Sequence, residues 1–168
     1  MMLTSEGCQA RRDLLWQQIP SRFDWLLVGD PRHVQYLCNF RISPQSFSAD
    51  QRSLLLLTRD GSTTLLADNF ARRAASGEPF VTNEVITPWY THKQSVQNRD
   101  DALLDALRDC RGVWSAGPGL VESRGVTHAA DTVVADHAQV SFDSAVSGQA
   151  TTWGDTLRNL RRQKRSGG

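Results

Sequence analysis

Apolar and polar positions follow two different periods along this chain, and the switches between them outline its elements. From Ser5 to Ile19, Ala10, Leu14, Leu15 and Ile19 are spaced for one face of a helix, and Pro20 closes it. Asp24 and Gly29 then bracket Trp25-Leu26-Leu27-Val28, a run too short for an ordinary helix that reads as a buried strand. Asp30-Pro31 offers an N-cap followed by proline at the first helical position, opening a short helix with His33, Tyr36 and Leu37. Arg41 to Gln51 is polar, contains Pro44 and is expected to be loop. Arg52 to Thr58 and Ser62 to Ala67 form two apolar runs about Asp60-Gly61, the local signature of a β-hairpin.

Beyond the hairpin, Asn69 to Ser76 reads as a short helix stopped by Gly77, and Phe80 to Ile86 as a strand. An aromatic stretch, Thr87 to His92, follows. Leu103, Ala106, Leu107 and Cys110 recur at i, i+3, i+4 and i+7, which predicts a helix from about Ser95 to Cys110 with that face buried. Gly112 to Ser115 is expected to be a short strand, Gly117-Pro118-Gly119 a turn, and Gly119 to Ala130 a helix despite Gly125. Gln139 to Phe142 supplies a last strand, and from Thr151 the chain becomes helical and basic. Hairpin-linked strands mixed with helix-crossed ones predict a mixed sheet with helices on its faces.

Length and composition narrow this to one soluble domain. A chain of 168 residues can bury most of the surface it exposes when unfolded, and 39% hydrophobic with 22% charged residues lies in the globular range. A net charge of +1 argues against a protein-wide pull toward nucleic acid or acidic membranes. No apolar stretch approaches the roughly 18 residues of a membrane span, and the N-terminus lacks a secretory apolar region. Cys8, Cys38 and Cys110 lie far apart without a CxxC pair, which fits reduced thiols and a cytoplasmic location.

Candidate chemistry is sparse. His33, His92, His128 and His137 form no HExxH pattern, so no metal site is expected. There is no GxSxG elbow, and Gly117-Pro118-Gly119 extends into neither a dinucleotide nor a P-loop motif. Cys38, five residues after His33, is not on the same helix face and reads as a small buried hydrophobe. Asp100, Asp101, Asp105 and Asp109 flank an apolar stripe and read as its solvated face. Arg158, Arg161, Arg162, Lys164 and Arg165 form one terminal basic patch with no interleaved aromatic beyond Trp153, a solvated helix end or linker rather than a nucleic-acid surface. No residue of the chain is assigned a catalytic role.

Several of these pieces, in order, resemble the N-terminal domain of the creatinase, prolidase and Xaa-Pro aminopeptidase family, the pita-bread metallopeptidases. They are the opening helix with Arg11-Arg12-Asp13-Leu14-Leu15, the stretch DWLLVGDPRHVQYLCNF, the hairpin RSLLLLTRDGSTTLLAD, the helix around Leu103 to Leu107, and the basic LRNLRRQK. His33 stands where the family usually has Asn, and Asn39 where it has Gly before the aromatic. The resemblance implies a ribonuclease-H-like, three-layer α/β/α fold with a mixed sheet of five to six strands over residues 1–164. Residues 165–168 would then be a tail or a truncation point before an absent catalytic domain.

In that family the second domain supplies the metal ligands, so any divalent metal pair (Mn, Co or Zn) would belong to it, and this chain alone is expected to be inactive. The partners implied are the chain's own catalytic domain and a second subunit in a homodimer. The role implied is oligomerisation and shaping of the substrate site. By position, the loop from Arg41 to Arg52 matches the family's element that reaches a partner's active site. Arg41 and Arg52 are the candidates to pair with a substrate carboxylate, which a guanidinium matches with two parallel hydrogen bonds. The alternative is a standalone α/β binding or regulatory module of the same fold.

Overall fold

The run Trp25-Leu26-Leu27-Val28 forms strand β1 (Trp25–Val28), and every one of its side chains is buried. The computed structural model describes residues 3–42, 53–114, 116–122 and 125–136, and the backbone of 140–142. Successive side chains of a strand point to opposite faces. Leu26 and Val28 therefore enter one apolar layer while Trp25 and Leu27 enter another. A continuous apolar run is the mark of a strand covered on both sides.

β1 pairs antiparallel with β2 (Ser53–Thr58), and β2 turns at Asp60-Gly61 into β3 (Thr63–Asp68). Gly61 has φ +94°, a conformation that costs glycine little. β3 runs parallel to β4 (Asn83–Thr87); on the other side β1 runs parallel to β5 (Gly119–Val121), and β5 to β6 (Val140–Phe142). The resulting order is β4-β3-β2-β1-β5-β6.

On one face lie α1 (Ser5–Gln18), α2 (Pro31–Cys38) and α3 (Asn69–Ala74). Their Leu15, Val34, Leu37 and Ala71 pack on Leu26, Val28, Leu55, Leu57 and Leu65. The other face is covered by α4 (Arg99–Asp109), α5 (Arg111–Trp114) and α6 (His128–Ala135). Here Leu103, Ala106, Leu107, Trp114 and Val134 meet Trp25, Leu27, Leu54, Leu56 and Leu66. Each fully buried leucine is worth about 1.5–3 kcal/mol over an exposed one. The architecture is the expected three-layer α/β/α, ribonuclease-H-like domain with a mixed sheet, here of six strands.

Local expectations fail in several places. α1 turns differently from the leucine pattern: Ala10 is exposed and Leu14 is 45% exposed, while Cys8, Arg11, Arg12 and Leu15 face inward. Gly112 to Ser115 is not a strand; Arg111–Trp114 is a helical turn that tucks the Trp114 indole under α4, donating to Leu107 O at 2.8 Å. The helix expected over Gly119 to Ala130 is instead strand β5 followed by α6, capped by Thr127. A Cβ at position 119 would lie 1.9 Å from the Trp25 ring, so that glycine serves strand packing rather than a helix start. The strand expected over Phe80 to Ile86 runs instead from Asn83 to Thr87. The helices at the start and middle of the chain are shorter than expected, ending at Gln18 and beginning at Arg99 after the Asn98 cap. The basic tail, and the loop between Ile42 and Ser53, lie outside the described residues.

Candidate functional site

β1, β3, β4, β5 and β6 all run in one direction. The β1–α2 and β3–α3 junctions therefore sit at the same end of the sheet as the start of β2. In open α/β sheets the carboxyl ends of the strands are where ligand-contacting loops gather.

At the first junction, α2 is an eight-residue helix with Pro31 at its first position and Asp30 as N-cap. The Asp30 carboxylate accepts from Arg32 N at 2.8 Å and pairs with the Arg32 side chain at 2.5 Å. Burial alone would raise the Asp30 carboxyl; hydrogen bonds from the Arg32 side chain and backbone outweigh it and bring the pKa down to about 2. Glu122, immediately after β5, is 2% exposed. Its Oε2 accepts from Gly29 N and Asp30 N, both at 2.8 Å, and its Oε1 is hydrogen-bonded to Nδ1 of buried His33. A carboxylate is thus fastened to the amide-rich, positive end of the helix.

The opposite end of α2 is held by opposite charge. Arg11 Nη1 donates to Tyr36 O at 3.0 Å, and Arg12 Nη1 donates to Leu37 O at 2.7 Å. Arg11 and Arg12 are 6% and 7% exposed, and no carboxylate pairs with either among the described residues. Burial pushes the Arg12 guanidinium below its ordinary value. An uncompensated buried charge is costly; here the unsatisfied carbonyls of the helix end supply the partial negative charge.

Past this end, Asn39 adopts φ +63°, a left-handed cap that asparagine tolerates better than most residues. Its side chain donates to Glu78 O at 3.1 Å. Arg41 is exposed; its carbonyl accepts from Ser76 N at 2.8 Å, and Ile42 bridges to Ala75. Arg52 lies outside the described residues. Cys38 donates to Val34 O at 3.2 Å and its thiol is pushed up to about 12 by burial, the behaviour of a core residue and not a nucleophile. At the second junction Asp68, 1% exposed, pairs with Arg99 at 2.8 Å, and the Arg99 guanidinium lies 4.5 Å from the Trp89 ring centroid.

A family model described as the creatinase/prolidase N-terminal domain matches residues 20–124. The chain belongs to this family. No curated protein matches it. Among solved structures it is similar to the aminopeptidase P (Xaa-Pro aminopeptidase) of Streptococcus thermophilus, at 16% identity and TM-score 0.50, covering 92% of this chain and 98% of that one. It is also similar to the creatinase/prolidase N-terminal domain of an X-Pro dipeptidase from Streptococcus pyogenes, at 14% identity and TM-score 0.48, covering 84% and 95%. The Xaa-Pro dipeptidase of Bacillus anthracis matches at 12% identity and TM-score 0.46 over 83% of this chain, a region that makes up 33% of that one. At such identities the likeness is one of fold.

In this creatinase/prolidase N-terminal domain, no three of His, Cys, Asp and Glu gather to hold a metal ion among the described residues. No described helix is long and apolar enough to cross a membrane. The sequence reading passed over Glu122 and gave Arg11 and Arg12 no role beyond the family resemblance, although all three organise the helix that the DPRHVQYLCNF stretch encodes. Adjacent arginines on the inward face of α1 were the available signal. Nothing local to Glu122 announces that its carboxylate reaches back to Gly29.

Proposed function

We propose that this domain is the non-hydrolytic N-terminal part of an Xaa-Pro peptidase or creatinase-like hydrolase, contributing subunit contacts and shaping the substrate site. The observation that carries the reading is the family match over residues 20–124. The exposed Arg41 supports it, because it follows a helix held by buried charge at both ends and is itself tied through its carbonyl to Ser76. Arg41, with Arg52, offers guanidinium groups to a substrate carboxylate in the active site of a second subunit. The working location is cytoplasmic, the partners are that domain and a second subunit, and any metal pair is held outside this chain.

Incubating the purified chain with an Xaa-Pro dipeptide and Mn²⁺ is expected to give no hydrolysis and no stoichiometric metal uptake by calorimetry. Turnover with bound metal would overturn the reading. In the enzyme that contains this domain, Arg41→Ala is expected to raise KM about tenfold or more with little change in kcat; an unchanged KM removes Arg41 from the substrate site.

A further inference from the structure

The exit of α2 does not belong to the sheet, yet it is tied to another irregular segment, residues 75–80. Phe80 N donates to Cys38 O at 2.7 Å, Ser76 N donates to Arg41 O at 2.8 Å, and Asn39 Nδ2 donates to Glu78 O. Ser76 Oγ also donates to Arg41 O at 3.3 Å and Ile42 bridges to Ala75, so the two short segments meet outside the named strands, and a side chain bonded to both adds a further tie. Arg12 supplies it. Its Nη1 donates to Leu37 O at 2.7 Å and also to Phe80 O at 3.2 Å, one carbonyl from each segment. Its Nη2 donates to Gln9 Oε1 at 2.7 Å, which anchors the fork to α1. Arg11, its neighbour, bonds Cys8 Sγ within α1 at 3.4 Å and reaches α2 through Tyr36 O and the Tyr36 ring at 4.8 Å; none of these contacts extends to residues 75–80.

We infer that Arg12 is a positioning residue for Arg41: by holding Leu37 O and Phe80 O together, it sets where the chain leaves α2. This rests on the reading of Arg41 as a substrate-facing group, but its geometric content is independent of that reading. One guanidinium nitrogen serves both carbonyls while the other holds Gln9 in a fixed plane, an arrangement that a single ammonium on a flexible stem does not reproduce. Arg12 does not touch substrate in this scheme; it acts through the backbone that carries Arg41.

Amide hydrogen exchange on the 168-residue chain tests it, comparing Arg12→Met, Arg12→Lys and Arg11→Met with the unaltered protein. Arg12→Met is expected to speed exchange at the Ser76 and Phe80 amides at least tenfold while Leu55 to Leu57 in β2 keep their rates. Arg12→Lys should fall between, at least threefold faster, and carries the comparison if the Met variant does not fold. Arg11→Met should leave Ser76 and Phe80 at their original rates. The inference fails if Arg12→Lys and Arg12→Met leave those amides unchanged, if Arg11→Met speeds them equally, or if β2 accelerates to the same degree. Because no substrate is involved, faster exchange here with an unchanged KM in Arg41→Ala would remove the substrate reading and leave the positioning role standing.

Discussion

Glu122 illustrates what one buried charge can organise. Its carboxylate serves two backbone amides and an imidazole while almost wholly removed from water, and those three donors all belong to the β1–α2 junction. Removing it takes this carboxylate away from Gly29 N, Asp30 N and His33. Glu122→Ala is therefore expected to destabilise the domain, at about 1–3 kcal/mol for each buried hydrogen-bonding group that loses its partner, read as a lowered urea midpoint at unchanged slope. Glu122→Gln keeps an oxygen for the two amides and should cost less; equal losses would mean that the carboxyl oxygens are not the bonding atoms. None of this was legible along the chain. A glutamate after three apolar residues resembles any strand end, and its partners are some ninety positions away in sequence.

At the scale of elements, α2 shows how a helix too short to be stable alone is kept. Asp30 and Pro31 announced its start in the sequence, and the structure places them as N-cap and first helical residue. Their signal is local, because capping depends on a few adjacent residues. The Asp30 carboxyl sits at about 2, below the ordinary 3.8, so its contribution is complete above pH 3.8 and is lost as pH falls through about 2. Asp30→Asn keeps a capping oxygen but removes the titrating charge. Thermal melts from pH 5 to pH 2 should therefore show a shallower acid-side decline in the variant, and parallel curves would assign the acid sensitivity elsewhere. By contrast, β5 was mistaken for the start of a helix. Three residues carry too little periodicity, and what makes them a strand is pairing with β1 and the space Gly119 leaves for Trp25.

At the scale of the whole molecule, two apolar layers share one sheet, and a thiol lies in each. Cys38 belongs to the layer under α1, α2 and α3, and Cys110 to the layer under α4, α5 and α6. Burial pushes Cys38 up to about 12 and Cys110 up to about 11. Both should resist alkylation in the native protein at pH 8. Because β1 and β2 send side chains into both layers, the two thiols should become reactive together across a urea transition, as mapped by mass spectrometry. Labelling of Cys110 well before Cys38 would show that the layers open separately.

The sequence by itself determined the hairpin, the doubly buried first strand, the cap of α2, the apolar stripe of α4 and, through their order, the family. Each of these is written in neighbouring residues or in a periodic face, and such patterns survive without knowledge of what lies opposite. Only the tertiary structure decided that α1 turns two arginines inward, that Trp114 plugs a helix end, and that Glu122 and Arg12 hold the two ends of α2. The reason is physical: a charge is tolerated inside a protein only when distant backbone groups come to meet it, and those meetings are made by the fold.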